Sequence, residues 1–182
     1  MDHGDHVKLV RPAIPTPPPG ATWADIGAGE GAFTLALADV LGPGASVIAV
    51  DRDERALVRT SAALTSSFPR TRHSYLVADF RATLPLPELD GLVAANSLHF
   101  VPRAEQVAVV ARLAGYIRPG GTFVVVEYDA DSGNPWVPYP FSARSWPRLA
   151  EAAGLLDPLI TGRVPSRFLG AIYSASAQRP RE

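Results

Sequence analysis

The segment Asp25-Ile26-Gly27-Ala28-Gly29-Glu30-Gly31 places three glycines at alternate positions behind a carboxylate. It joins an apolar run to a stretch with helical spacing. Glycines at such a junction let the backbone turn tightly and approach a ligand closely. The helix that follows presents its first N–H groups to that ligand. Gly27, Gly29 and Ala32 satisfy the G-x-G-x-x-G/A pattern that seats a dinucleotide, the loop of a nicotinamide-dependent oxidoreductase. A pyrophosphate, however, wants the positive helix end free of anions. Asp25 and Glu30 would repel it and suit a cationic ligand instead.

Further groups with chemical use lie at the ends of later apolar runs. Asp51 closes Val47-Ile48-Ala49-Val50-Asp51, about 20 residues past the glycine loop, where a carboxylate can accept both hydroxyls of a ribose. Arg52 follows it and is assigned to the same site. Asp79 can accept from an adenine amino group, and Phe80 can line the adenine face. Asn96 closes a fourth run and is followed by Ser97, Leu98 and His99. In an open α/β sheet, ligands sit outside the carboxyl ends of the strands, and all these residues fall at that edge.

The elements that must position them follow from periodicity. Strands are predicted over Thr22–Ile26, Ser46–Val50, Tyr75–Ala78, Gly91–Ala95 and Thr122–Val126. Helices are predicted over Ala32–Leu41, Asp53–Leu64, Pro102–Ile117 and Ser142–Ala153. Leu155–Val164 and Phe168–Ser174 read as a terminal antiparallel hairpin turning near Pro165–Arg167. Arg81–Asp90 is Pro-rich and holds at most a short helix. The alternation predicts an α/β fold: a doubly wound, mostly parallel seven-stranded sheet with helices on both faces and the hairpin at its end. One domain spans 1–182. Its core is 22–176, and residues 1–20 form an arm, extended through Pro12–Pro19, of which His6–Ile14 is expected to fold over the site as a lid.

Composition narrows the function further. With 182 residues, 47% hydrophobic and 19% charged, the chain can bury a core. A formal net charge of −1 gives no footprint for nucleic acid or an acidic membrane, although 16 of the 17 basic residues are Arg. The absence of cysteine removes thiolate catalysis and Cys-ligated zinc. No apolar run approaches the roughly 20 residues that cross a bilayer, and Met1–Lys8 lacks the apolar stretch of a signal peptide. A cytoplasmic protein without a bound metal is expected.

Taken together, the motifs resemble those of the class I, Rossmann-like S-adenosylmethionine-dependent methyltransferases. Asp25–Gly31 resembles their first motif, acid-x-G-x-G-x-G, and Asp51 the acidic residue of the second strand. Asp79-Phe80 resembles their adenine-side motif, Leu92–Phe100 their fourth-strand motif, and Arg118-Pro119-Gly120-Gly121 their fifth-strand entry. The resemblance covers roughly 22–175. It implies S-adenosylmethionine as cofactor, with Gly27 and Gly29 facing its methionine portion, Asp51 its ribose and Asp79 its adenine. The backbone near Asn96 would face the methyl group, which would pass to a small-molecule or protein side-chain acceptor. Asn96-Ser97-Leu98-His99 lacks the two prolines and aromatic of the nucleic-acid amino-methyltransferases. Lys8, the single lysine, cannot complete the Tyr-x-x-x-Lys pair of short-chain dehydrogenases. A non-catalytic S-adenosylmethionine-binding protein is the remaining alternative. Methyl transfer needs a general base only for some acceptors, and His99 is the candidate. Trp136, Tyr139 and Phe141 are expected to wall the acceptor pocket.

Overall fold

The computed structural model describes residues 1–166 and 168–182. Helix α1 (His3–Val10) opens the chain. Strand β1 (Thr22–Ile26) leads through the glycine loop into α2 (Ala32–Leu41). There follow β2 (Ser46–Asp51), α3 (Glu54–Ser67), β3 (Arg72–Val77), β4 (Leu89–Ala95), α4 (Arg103–Ala114) and β5 (Ile117–Tyr128). Helix α5 (Trp146–Ala152) precedes the hairpin of β6 (Leu156–Pro165) and β7 (Ala171–Gln178). The sheet order is β3-β2-β1-β4-β5-β7-β6. β1 to β5 are parallel, and β7 runs antiparallel between β5 and β6. This is the doubly wound seven-stranded sheet that the alternation predicts. Between β1 and β4 the chain reverses its direction of travel across the sheet, which opens a crevice at their carboxyl ends.

Strand alternation divides the core between the two faces. Trp23, Val47, Val93 and Val124 meet Leu9 and Val10 of α1, Phe33, Ala36 and Leu37 of α2, and Leu64 of α3. Ala24, Ile26, Leu92 and Phe123 meet Val109, Val110 and Leu113 of α4 and Trp146 of α5. Covered on both sides, the central strands are apolar along most of their length. No helix among the described residues is long and apolar enough to cross a membrane.

The start of the chain differs from expectation. It is a helix with a capping box: Asp2 Oδ1 accepts the Asp5 N–H at 2.9 Å, and Asp5 Oδ2 accepts the Asp2 N–H at 3.2 Å. A 3₁₀ turn, Arg11–Ala13, follows. Leu9 and Val10 are 1% and 0% exposed, so α1 is part of the core rather than an arm. None of its residues lines the glycine-loop cavity, which corrects the lid expected over His6–Ile14.

Other boundaries shift for local reasons. Arg81–Glu88 forms no helix, and the Leu84 N–H donates to Tyr116 Oη at 2.7 Å. α4 stops at Ala114, capped at Gly115, and β5 begins at Ile117, inside the helix predicted there. α5 starts at Trp146 because Pro147 is tolerated only in a first turn. The stretch before it is held instead by Asp131, whose carboxylate accepts from Ser142 Oγ at 2.8 Å and Ser145 Oγ at 2.7 Å. β7 begins at Ala171 rather than Phe168. Arg167, the last residue of the predicted turn, lies outside the described residues.

Candidate functional site

The glycine loop is pinned from below. The N–H groups of Gly27 and Ala28 both donate to the Val50 carbonyl, at 2.8 and 3.0 Å. Its glycines then answer different demands. At Gly27 a Cβ would lie 2.4 Å from Ser97 Cβ, so only glycine lets the turns leaving β1 and β4 pack together there. At Gly29, with φ of +50°, a Cβ would meet nothing within 4 Å; the space above it is open for a ligand. Gly31 is closed off by Thr60 of α3, and Ala28 accepts the Gly31 N–H at 2.9 Å. Ala28 and Gly31 therefore shape the loop, while Gly27, Gly29 and Glu30 face the cavity.

That cavity, of about 480 Å³, lies at the carboxyl ends of β1 to β4. It is within the size range of small-molecule sites. Asp51, Arg52, Asp79, Phe80 and Asn96, all read from the sequence, line it. Asp51 Oδ2 accepts the Gly29 N–H at 2.8 Å and Oδ1 accepts the Asp53 N–H at 2.9 Å, clasping loop and helix entry together. Asp79 is taken up by Arg81, whose Nη2 donates to Oδ2 at 2.7 Å. Hydrogen bonding from Arg81 holds the Asp79 carboxyl below its usual range. Asn96 adopts a left-handed φ of 51°, turning the chain out of β4. Asn96 Oδ1 and Ser97 Oγ are buried and have no hydrogen-bond partner among the described residues.

Three assigned residues, Asp25, Glu30 and His99, are engaged by their surroundings. Asp25 is 1% exposed and faces α2, where Thr34 Oγ1 donates to its Oδ2 at 2.6 Å. Burial pushes its carboxyl up to about 7 against the opposing Thr34 bond, so it lies beneath the site and does not present a fixed anion to it. Glu30 lines the cavity but is paired with Arg59, whose Nε donates to Oε2 at 2.9 Å; that bond holds the carboxyl low. The free anionic loop inferred from Asp25 and Glu30 is therefore not present.

His99 does not line the cavity either. Its ring is 3% exposed and turned onto Glu127, with Nδ1 at 2.9 Å from Oε1 and 3.1 Å from Oε2. The His99 and Tyr128 N–H groups also donate to Glu127, at 3.2 and 2.7 Å. This buried cluster ties the end of β5 to the 3₁₀ turn Leu98–Phe100. Glu127 escaped the sequence reading, although an acid closing the run Val124-Val125-Val126 is itself a signal. The lining residues missed, Asp53, Ala56, Ala78, Arg81, Ser97 and Phe100, are mostly chain neighbours of those identified.

The profile of the methyltransferase-domain family matches residues 24–121, more than half of the 182-residue chain. This chain belongs to the class I S-adenosylmethionine-dependent methyltransferases. No curated protein sequence matches it, but its fold recurs in many solved structures. A possible exported protein from Bordetella parapertussis superposes with a TM-score of 0.75 at 16% identity, over 98% of this chain and 67% of that one. An arsenic(III) S-adenosylmethionine methyltransferase from Chlamydomonas reinhardtii gives 0.70 at 17% identity, over 93% and 66%. An S-adenosylmethionine-dependent methyltransferase from Methanosarcina mazei gives 0.70 at 15% identity, over 93% and 96%. Identities this low establish the fold, and the family rests on the profile. The cofactor of the methyltransferase is S-adenosylmethionine, and its own residues fit that molecule. Gly29 leaves open space above the loop, and Ser97 and Asn96 line the cavity with Oγ and Oδ1 buried and without a hydrogen-bond partner among the described residues. The family match sets aside the dinucleotide reading of the loop.

Proposed function

We propose that this methyltransferase moves a methyl group from S-adenosylmethionine onto a small-molecule acceptor. The observation that carries this reading is convergence. Gly27, Gly29, Asp51, Asp79, Phe80 and Asn96 come from the ends of successive strands and surround one cavity. In this reading Gly27 and Gly29 receive the methionine portion, Asp51 the ribose, and Asp79 with Phe80 the adenine. Arg81 shares the Asp79 carboxylate with the adenine amino group or swings aside. When bound, the cofactor supplies a methyl group already activated by its sulfonium.

The chain's contribution is alignment and exclusion of water, and good alignment is worth on the order of 7–11 kcal/mol. His99 enters as a positioning residue. Bonded to Glu127, it holds the 3₁₀ turn that offers Ser97 and Phe100 to the cavity. Calorimetric titration with S-adenosylhomocysteine and NADH, then an acceptor screen that detects S-adenosylhomocysteine release, tests the reading. Binding of S-adenosylhomocysteine and turnover on at least one small molecule are expected. Tight NADH binding with no response to S-adenosylhomocysteine would overturn it.

A further inference from the structure

A second feature reaches the cavity at Phe100. Of the five large aromatic side chains exposed among the described residues, three, Phe100, Trp136 and Tyr139, belong to the 3₁₀ turn after β4 and the loop after β5. Phe100 is 57% exposed and also forms part of the cavity wall.

These aromatics sit on fixed backbone. Asn134 Oδ1 accepts the N–H groups of Trp136 and Val137, each at 2.9 Å. Asn134 and Val137 also exchange both backbone hydrogen bonds, at 3.0 and 3.1 Å, and Val137 is buried beneath them. The turn so formed carries Trp136 near its tip, 80% exposed. Tyr139 is held at both of its backbone groups: its N–H donates to the His99 carbonyl at 2.9 Å, and its carbonyl accepts from Gln106 Nε2 at 2.7 Å. That anchoring sets the Tyr139 backbone against that of His99, the residue before Phe100. Phe141, grouped with these residues from the sequence, is instead 2% exposed and stacks on Trp146 in the core.

Arg103 and Asp131, which flank this stretch, are engaged. The Arg103 guanidinium donates to the Asp131 carbonyl, and the Asp131 carboxylate accepts from Ser142 and Ser145. Ser97, 3% exposed, lines the cavity, and its Oγ, like Asn96 Oδ1, has no hydrogen-bond partner among the described residues. Water-exposed aromatic surface on anchored backbone, reaching a ligand cavity through Phe100, is a surface for stacking.

We propose that Phe100, Tyr139 and Trp136 form the acceptor subsite, and that the acceptor is a flat aromatic or heteroaromatic molecule. It stacks on these rings, with its nucleophilic nitrogen or oxygen directed past Ser97 into the cavity. This assignment rests on the methyl-transfer reading of the cavity. Transfer forms a bond from that atom to the methyl carbon as the carbon–sulfur bond breaks. The electron pair stays on sulfur, leaving a neutral thioether, and the acceptor's proton goes to water.

The test uses the full chain saturated with S-adenosylhomocysteine and titrated with 2-naphthol, 8-hydroxyquinoline and the saturated counterpart decahydro-2-naphthol. Binding is read by calorimetry and by tryptophan emission. Trp23 and Trp146 are buried, so quenching from solvent-side ligands reports on Trp136. The two aromatic probes are expected to bind and quench, and the saturated alcohol to bind at least tenfold more weakly. Tyr139→Ala and Trp136→Ala should each weaken aromatic binding by about 3- to 10-fold, with the S-adenosylhomocysteine dissociation constant unchanged. Equal binding of the saturated alcohol, undiminished aromatic binding in both variants, or no aromatic binding up to millimolar concentration would overturn the proposal. Failure of S-adenosylhomocysteine itself to bind would fall on the methyl-transfer reading instead.

Discussion

Asp25 and His99 show how far a residue's burial decides its chemistry. Both were picked out for ionisable side chains near the sheet edge, and both turn away from the cavity. That was not legible in the sequence, because strand alternation sets which face Asp25 takes and a partner 28 positions away, Glu127, claims His99. The Asp25 carboxyl, raised from an ordinary 3.8 to about 7, holds its proton in the folded state over a range where the unfolded chain has lost it. Stability therefore declines as pH rises from about 4 to 7 and levels off above, by on the order of 4 kcal/mol. Asp25→Asn keeps an acceptor for Thr34 and removes the charge. Melting of the cofactor-free protein at pH 5 and pH 8 should show a smaller drop in the variant than in the wild type, and equal drops would remove Asp25 from the account. For His99→Ala, the buried Glu127 carboxylate loses its ring partner, at a cost on the order of 3 kcal/mol. The melting temperature should fall by roughly 6–12 °C. A general base would instead leave melting intact and lower turnover by about 10²–10⁴-fold. An unchanged melt with such a loss of rate would return His99 to the chemistry.

Among the elements, the junction of β1, β2 and α3 carries the cofactor end of the site. Its glycine pattern and Asp51 were readable because turn geometry and the ends of apolar strands leave local traces. The clasp between them was not, since it pairs a side chain with a backbone N–H 22 residues away. Asp51 is therefore more than a ribose acceptor: it fixes the Gly29 N–H and the entry to α3 at once. Asp51→Ala should weaken S-adenosylhomocysteine binding by roughly 10- to 150-fold, the worth of a charged acceptor. Calorimetry checks this, and an unchanged dissociation constant would reduce Asp51 to a structural strand end. The boundaries missed elsewhere have similar causes. Gly115 ends α4 three residues before the apolar pattern does, and Asp131, rather than helix propensity, organises Ser142 to Ser145.

Across the whole molecule, the least legible part was the first fourteen residues. Histidines, acids and the approach to the Pro-rich stretch suggest a polar, extended arm, and few apolar side chains offset them. Of these, Leu9, Val10, Ala13 and Ile14 are buried in the core on the α2 face, and Val7 packs against it. α1 packs on α2 and β6, so it closes the sheet on the side away from α4 and α5. His3 Nε2 lies 3.0 Å from Asp39 Oδ2 on α2, and the His6 ring meets Phe33 edge-on at 4.8 Å. A lid and a core helix respond differently to damage. Leu9→Ala leaves a cavity under β6, where a Cβ on Gly162 would already sit 4.0 Å from Leu9 Cδ2. Removing a buried leucine side chain costs about 2–5 kcal/mol, which lowers the melting temperature of a chain this size by roughly 5–15 °C. The dissociation constant for S-adenosylhomocysteine, measured well below the melt, should stay within about threefold of the wild type, since a shift of only about 0.65 kcal/mol lies inside that range. If α1 instead gates the cofactor, Leu9→Ala would melt normally while release of S-adenosylhomocysteine, followed by stopped-flow fluorescence, changed severalfold. That pair of results would restore the lid and overturn the core assignment.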